Sequence, residues 1–282
     1  MSALAVMAQA LDFIEAHLRE DIAVGDVAAA VSYSVFHFCR TFNQVTHHTP
    51  YDYLMRRRLA EAARELLQTD RKIIDLAYAY QFNNPETFSR AFKRVFEMQP
   101  NQLRKQGGLP QPGLMPRLTL AHLEQIAKGP YLKPIVLMRD GVQLAGVMTL
   151  VQTLAASPIE LWQTFAAQLR ALGQPAASGV YSLTLFPAHS GQPGIFYLLG
   201  VPVTNLDVQN AAWVVKTLPA QTYVRFIHHG WRRDLLLTLD YACHTWLPQS
   251  ARRLAAPHCL IHYPPGYEDS VAAECEIYLP IA

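Results

Sequence analysis

The sequence lacks the features of exported or membrane-spanning proteins. Its 282 residues include only four cysteines, which form no compact framework, and no run of eighteen apolar residues. The N-terminus has no basic stretch followed by a signal-like apolar core. We therefore expect a soluble protein of a reducing, cytoplasmic compartment, with no membrane partner.

Motifs for metal or nucleophile chemistry are missing as well. The side chains of the adjacent pairs His47-His48 and Cys243-His244 would point in different directions on a helix. Cys259 and His262 would lie on opposite faces of a strand. The chain has no zinc-ligand spacing and no G-x-S-x-G sequence. We predict no metal site, no cofactor and no catalytic residue.

Charge is scarce, because only 16% of the residues are charged while 51% are hydrophobic. Residues 1–106 carry thirteen Lys+Arg against twelve Asp+Glu, so the net charge alone does not indicate nucleic-acid binding. Six of the basic residues are clustered, however: Arg56, Arg57, Arg58, Arg90, Lys93 and Arg94. This cluster predicts a phosphate-binding patch, and a solvated helix face is the alternative for the three consecutive arginines.

One pattern occurs twice, fifty residues apart. Phe38-Cys39-Arg40-Thr41-Phe42 is followed eight residues later by Pro50, and Phe88-Ser89-Arg90-Ala91-Phe92 eight residues later by Pro100. A helical bundle with a purely structural role does not require such a duplication. The repeat predicts paired helix-turn-helix units and hence a DNA-binding regulator.

The periodicity of residues 4–106 is that of almost continuous helix. We predict helices at 24–31, 34–46, 50–68 and 73–80, after an apolar stripe formed by Leu4, Met7, Leu11, Ile14 and Leu18. Another helix begins with Asn84 as its N-cap and Pro85 as its first helical residue. Residues 1–106 are thus predicted to be an all-α domain, whose helix 50–68 links the two helix-turn-helix units.

The C-terminal part has a different periodicity. Residues 107–131 are rich in Gly and Pro and predict a linker, with a short helix at 118–127. Strand-like runs follow at 143–151, 180–186, 195–203, 222–228, 258–263 and 275–280, with helices at 158–172 and 231–247. The order strand, helix, strand, strand occurs twice. Residues 132–282 are therefore predicted to be an α+β domain of two β-α-β-β halves, with a cleft where the halves meet.

Helical spacing gives each repeated segment an inward and an outward face. Phe38, Phe42, Phe88 and Phe92 face inward. The outward faces carry groups that can contact base edges, namely Phe36, Cys39, Arg40, Asn43, Glu86, Ser89, Arg90 and Lys93. The helix 50–68 spans about 27 Å, which suits two recognition helices in major-groove segments about 34 Å apart on double-stranded DNA. Pairing with a neighbouring acid is the alternative role for Arg40 or Arg90.

At these residues the sequence resembles the AraC/XylS family of bacterial transcription regulators. The family's motifs match the repeat, the stretch Arg58-Leu59-Ala60-Glu61-Ala62 and the segment 82–93. The resemblance implies base-contacting helices at 35–45 and 85–95 and RNA polymerase as a partner. It implies base-contacting roles for Phe36, Cys39, Arg40, Glu86, Thr87, Ser89 and Arg90; the basic cluster adds Lys93 and Arg94.

Several positions depart from the family pattern. Ser32, Gln81, His47 and Glu97 stand where the family often has glycine, so we expect non-glycine residues in left-handed turns at a modest cost in stability. Cys39 and Pro85 replace residues that are often amides in the Rob-like members, which place this domain before a GyrI-like domain. The DNA sequence that is bound is therefore expected to differ from theirs.

The segments 223–230, 246–250 and 275–281 resemble landmarks of the GyrI-like domain. That family implies a cleft for drug-like, often cationic, molecules. The aromatic candidates for the cleft are Trp162, Tyr181, Phe196, Trp213, Tyr223, Trp231 and Tyr263. The alternative is that most of these side chains belong to the core.

Ile261 departs from the GyrI-like pattern, because many members have a pocket glutamate in this stretch. Ile261 cannot balance a buried cation. Either Glu274 or Glu276 substitutes, or the ligand is neutral and apolar, or the pocket is vestigial; we favour a neutral aromatic or hydrophobic effector. The sequence thus predicts a transcription regulator modulated by a small molecule. A protein that sequesters small molecules, or a hydrolase acting through the GyrI-like domain, is the alternative.

Overall fold

The computed structural model describes residues 2–108, 113–151, 158–171, 179–186, 194–203 and 213–282. The chain divides into two compact units, a helical unit over Met1–Lys128 and a sheet unit over most of the residues from Gly129 onward. In the part of the chain that is described, no helix is long and apolar enough to cross a membrane.

The helical unit follows the predicted order of helices. Its elements are α1 (Ala3–Ala16), α2 (Val24–Ala30), α3 (Val35–Thr46), α4 (Pro50–Gln68), α5 (Ile73–Ala79), α6 (Pro85–Phe96), α7 (Pro100–Gln106) and α8 (Leu120–Ala127). Asn84 caps α6 through a 2.8 Å hydrogen bond from the backbone NH of Thr87, and Pro85 is the first helical residue, which confirms the prediction.

Two separate hydrophobic cores hold the two helix-turn-helix units. Phe38 and Phe42 of α3 are fully buried in the first core, together with α1 and α2. Phe88 and Phe92 of α6 are fully buried in the second core, together with α5 and α7. The helix α4 contributes to both cores, with Tyr53 and Leu54 in the first and Leu59 and Leu66 in the second. It is therefore the link that the sequence predicted.

The turns of the two units share an uncommon backbone conformation. Ser32 and Gln81 have φ angles of 58° and 62°, and His47 and Glu97 have 59° and 57°. These are the four positions where the sequence predicted left-handed, non-glycine residues. The repeat therefore extends from the side chains to the backbone.

Much of the predicted linker packs on the helical unit. Met115, Leu118 and Leu123 are buried in the first core, and α8 contacts α1 and α3. Gly and Pro end regular helix in this segment, but the apolar side chains between them still find a buried surface. The compact helical unit consequently extends to Lys128.

The sheet unit contains one eight-stranded antiparallel sheet in the order β1-β6-β8-β7-β3-β4-β2-β5. The strands are β1 (Ile135–Arg139), β2 (Val142–Val151), β3 (Val180–Leu185), β4 (Ile195–Pro202), β5 (Val214–Leu218), β6 (Gln221–His229), β7 (His258–Tyr263) and β8 (Glu274–Pro280). Helix α9 (Ile159–Ala171) lies between β2 and β3, and α10 (Leu235–Asp240), a π-helical segment (Tyr241–Trp246) and α11 (Leu247–Gln249) lie between β6 and β7.

The α+β class and the two similar halves are confirmed, but each half has one more strand than predicted. The first half is β1-β2-α9-β3-β4, and the second is β5-β6-α10-β7-β8. The additional strands, β1 and β5, have five residues each and form the edges of the sheet. Each pairs with a strand of the other half, β1 with β6 and β5 with β2. When each strand is replaced by its counterpart in the other half, the same strand order is obtained in reverse. A pseudo-twofold axis therefore passes between β3 and β7.

Candidate nucleic-acid interface and ligand pocket

The recognition helices α3 and α6 expose equivalent positions. Phe36, Arg40 and Asn43 are exposed on α3, with Phe36 at 79% of its full area. On α6 the exposed candidates are Glu86, Thr87, Arg90, Lys93 and Arg94. Cys39 and Ser89 occupy the same position of the repeat, and both are half-buried. Cys39 also packs against the first core.

Arg40 and Arg90 are exposed cations at the same position of the repeat. Among the residues that the structure describes, no acid forms an ion pair with either of them. The alternative role as partner of a neighbouring acid therefore has no support here. Both guanidinium groups can reach a base edge or a phosphate oxygen.

Arg57 contradicts both predictions made for the three consecutive arginines of α4. It is only 3% exposed and donates to Glu15 at 2.7 and 2.9 Å, to Glu61 at 2.6 Å and to the backbone carbonyl of Met115 at 2.6 Å. Burial alone lowers the pKa of Arg57, but the hydrogen bonds and the charge of Glu15 outweigh it and raise the pKa. Arg57 therefore holds α1, α4 and the segment before α8 together.

Arg58 and Arg56 also differ from the prediction. Arg58 is 5% exposed and donates to the carbonyls of Leu18 and Glu20 at 2.9 and 2.6 Å, which lie just beyond the end of α1. Arg56 pairs with Asp52 one turn earlier on α4, at 2.8 Å. Arg57 and Arg58 are therefore not available for the predicted phosphate-binding patch.

A pocket lies under α10 at the seam of the two halves, where a cleft was predicted. It encloses about 500 Å³ of empty space, part of which is open to solvent. Its sheet side is formed by Thr184, Tyr197, Cys259, Ile261 and Tyr263. Its helix side is formed by Arg232, Arg233, Leu235, Leu236 and Leu239.

The aromatic candidates do not share one cleft, because they lie on two faces of the sheet. Ile261 pairs with Ser182 and Ile277, so these side chains point to the face that α10 covers. Of the candidates, Ile261 and Tyr263 line the pocket, and the Trp162 ring of α9 lies 4.9 Å from that of Tyr263. Trp213 also packs on this face, where its indole NH donates to Gln168 at 2.6 Å.

The remaining candidates lie elsewhere. Tyr181 stacks on His262 at 4.5 Å and Tyr223 contacts His258 at 3.0 Å, both on the opposite face of the sheet. Phe196 lies on that same face and is 40% exposed, whereas Trp231 precedes the 3-10 turn before α10 and is 37% exposed.

Glu276 cannot supply the missing pocket carboxylate. It precedes Ile277 on β8 and therefore points away from the pocket. Arg225, His262 and Tyr278 bind its carboxylate at 2.8, 3.0 and 2.8 Å. Burial raises the pKa of Glu276, but these partners outweigh it and lower the pKa. Glu274, two residues earlier on the same face, pairs with His229 at 3.1 Å.

Sequence reasoning missed most of the pocket. Arg232, Arg233 and the leucines of α10 were assigned to a helix, and Tyr197 and Cys259 to strands, without a role in ligand binding. A signal was present on β7, because Cys259, Ile261 and Tyr263 alternate along one face. No group of His, Cys, Asp and Glu that could hold a metal ion occurs within the described ranges.

Two helix-turn-helix units on one connecting helix, followed by a sheet domain with a pocket, define the architecture of a DNA-binding regulator with its own ligand domain. Residues 27–106 match the model of a helix-turn-helix domain. Residues 133–282, more than half of the chain, match the GyrI-like small molecule binding domain. The chain belongs to the GyrI-like family and carries an AraC-type helix-turn-helix domain in front of the GyrI-like domain.

Known proteins are similar to all or part of the chain. The transcriptional regulator Rob of Salmonella typhimurium is 27% identical over 272 residues, which cover 90% of this chain and 89% of Rob. The helix-turn-helix regulator YbfP of Bacillus subtilis is 43% identical over 94 residues, so the matched part spans 33% of this chain and 32% of YbfP. A solved AraC-type regulator from Chromobacterium violaceum is 28% identical, with 39% of this chain and 96% of that chain covered and a TM-score of 0.36.

Proposed function

We propose that the chain regulates transcription by binding double-stranded DNA through α3 and α6 in two neighbouring segments of the major groove. The observation that carries this proposal is the duplicated helix with Arg40 and Arg90 exposed at the same position. Arg40 reads the first segment, and Arg90 reads the second with support from Glu86 and Lys93. The basic residues of these helices contact bases or phosphates.

The proposal also includes a small-molecule effector in the GyrI-like domain, which biases the DNA-bound state. The apolar pocket under α10 supports this part, since ligand sites are concave and lined by apolar groups with a few polar groups for orientation. By resemblance to the AraC/XylS family, RNA polymerase is the protein partner, and the cytoplasm is the site of action.

The pocket favours a binding role over a hydrolase. None of its described lining residues carries a carboxylate that could act as a general base. Its thiol, Cys259, is not activated, because burial raises the pKa of Cys259 to about 12.

Selection of duplexes from a randomised DNA library, followed by affinity measurements, tests the proposal. The full chain is expected to enrich a site with two short motifs about one helical turn apart, roughly 10 base pairs. The selected duplex should bind about a thousandfold more tightly than its scrambled version at physiological salt. Equal affinity for the selected and the scrambled duplex would contradict the proposal that the chain is a DNA-binding regulator.

A further inference from the structure

From the chemistry of the pocket under α10, we infer that its ligand is an organic anion with an apolar body, such as an aromatic carboxylate. This inference rests on the proposed small-molecule function of the GyrI-like domain and names the class of ligand. It reverses the charge that the family resemblance implies, and it adds a charge to the neutral ligand favoured from the sequence.

The apolar part of the pocket suits the body of such a ligand. Leu235, Leu236 and Leu239 of α10 face Ile261 of β7 across the pocket. Burial of an aromatic or aliphatic body against these side chains favours binding. Apolar contacts, however, do not decide the charge of the ligand.

The charged groups that line the pocket are both hydrogen-bond donors. Arg232 and Arg233 line the pocket, and a guanidinium group has donors and no acceptor. The guanidinium of Arg232 stacks 4.3 Å from the Trp162 ring. Arg233 is exposed, and within the described part of the chain no carboxylate pairs with it.

Two further polar groups are buried near the pocket, outside its lining residues. They are the indole NH of Trp162 and the hydroxyl of Ser182, which is fully buried next to Ile261 in the strand pairing. Both lie beside the hydroxyl of Tyr197, a lining residue whose pKa is raised by burial and lowered in part by these neighbours. An indole NH can only donate. An acceptor oxygen satisfies an indole NH, whereas an ammonium group does not.

Acidic groups near the pocket do not cancel this preference. None of the lining residues that the structure describes is acidic. Asp269 accepts from the backbone NH of Arg232 at 2.6 Å, and its carboxylate lies 3.9 Å from the guanidinium. This carboxylate offsets part of the positive charge of Arg232, but it does not offset the charge of Arg233. Glu276 points to the opposite face of the sheet. A bound cation would therefore lie beside two arginines, with no carboxylate among the lining residues to balance it.

Calorimetric titration of the full chain with three matched probes tests the inference: biphenyl-4-carboxylate, biphenyl-4-methanol and biphenyl-4-methylammonium. The three share one apolar body and differ in the head group. We expect the carboxylate to bind at least tenfold more tightly than the alcohol, and the ammonium to bind most weakly. Binding of the ammonium or the alcohol as tightly as the carboxylate, or no binding of the carboxylate, would overturn the inference.

Substitutions of pocket residues test whether the preference for the carboxylate arises in the pocket. Arg232→Gln and Arg233→Gln should each weaken carboxylate binding about tenfold and leave alcohol binding nearly unchanged. Arg252→Gln, which removes an exposed arginine outside the pocket, is the matched control and should bind like the parent chain. Ile261→Glu should move the preference from the carboxylate to the ammonium. Circular dichroism checks the fold of each variant, and equal losses in Arg232→Gln, Arg233→Gln and Arg252→Gln would contradict a pocket origin.

The selected DNA duplex separates this inference from the proposed function. If the carboxylate binds and DNA affinity stays unchanged, the inference stands and the effector role fails. If the duplex is bound specifically but the ammonium is the preferred probe, DNA recognition stands and the anionic ligand is wrong.

Discussion

Arginines of the helical unit lie in two opposite environments, on α4 and on the recognition helices. On α4, Arg57 and Arg58 are buried and fully engaged by carboxylates or backbone carbonyls. On α3 and α6, Arg40 and Arg90 are exposed and form no ion pair with the residues that the structure describes. The comparison shows that clustering of basic residues in a sequence does not reveal which of them are available to bind an outside group; the partners of each guanidinium do.

Replacement of Arg57 tests the buried arginines of this comparison and has the largest expected effect. Arg57→Met leaves the carboxylate of Glu15, whose side chain is 8% exposed, without its main partner. We expect the free energy of unfolding of the helical unit to fall by about 3–5 kcal/mol. Urea-induced unfolding of the full chain measures this effect.

Arg64→Met is the control for Arg57, because Arg64 lies on the same helix and pairs with Glu61, but its side chain is 44% exposed. Its loss should cost at most about 1 kcal/mol. Equal losses for the two variants would show that the buried network around Arg57 does not stabilise the unit.

Arg90→Ala tests the exposed arginines of the recognition helices. We expect the free-energy difference between binding of the selected and the scrambled duplex to fall by about 1–3 kcal/mol, because one base-edge contact is lost. The free energy of unfolding should change little, since the side chain is exposed. Fluorescence anisotropy with both duplexes measures the discrimination, and Arg64→Ala should leave it intact. Undiminished discrimination by Arg90→Ala would remove this residue from the interface.

The N-caps of the recognition helices give a smaller, purely structural effect. Asn84 accepts from the NH of Thr87 at 2.8 Å, whereas Ser34 accepts from the NH of His37 at 3.4 Å. Asn84→Ala should therefore cost about 1 kcal/mol of stability, and Ser34→Ala about 0.5 kcal/mol. Thermal unfolding ranks the two variants; a larger loss at Ser34 would show that hydrogen-bond length does not rank the caps.

The smallest expected effect is a gain in stability at the turn after α6. Glu97 has a φ of 57°, a conformation that glycine adopts without strain. Glu97→Gly should stabilise the chain by roughly 0.5–1 kcal/mol and leave DNA discrimination unchanged. Glu97→Ala is the control, because alanine keeps the Cβ atom, and it should give no gain. A stabilised alanine variant would mean that the Glu97 side chain, rather than its backbone, is unfavourable.

Much of the helical unit could be predicted because its signals are local. The phenylalanines of the repeat define the buried faces, and Asn84-Pro85 defines the start of α6. The burial of Arg57 and Arg58 could not be predicted in this way. Their partners, Glu15 and the carbonyls of Leu18 and Glu20, are about forty residues away in the sequence. Helical spacing does not reveal which distant group faces them.

The sheet unit was harder to predict for a similar reason. Alternation along β7 shows that Ile261 and Tyr263 share a face, but it does not show which face α10 covers. Tyr181 and Tyr223 were therefore grouped with residues from the other side of the sheet. The edge strands β1 and β5 are short, and each pairs with the other half of the domain. Their pairing depends on the topology, which period-two patterns do not contain.

Hydroxyl-radical footprinting of the full chain on the selected duplex is the most direct measurement of the central claim that α3 and α6 read DNA together. Two protected segments are expected on one face of the duplex, about one helical turn apart. Arg40→Ala should weaken protection of one segment and Arg90→Ala that of the other. A single protected segment, or equal loss of both segments in each variant, would contradict the account.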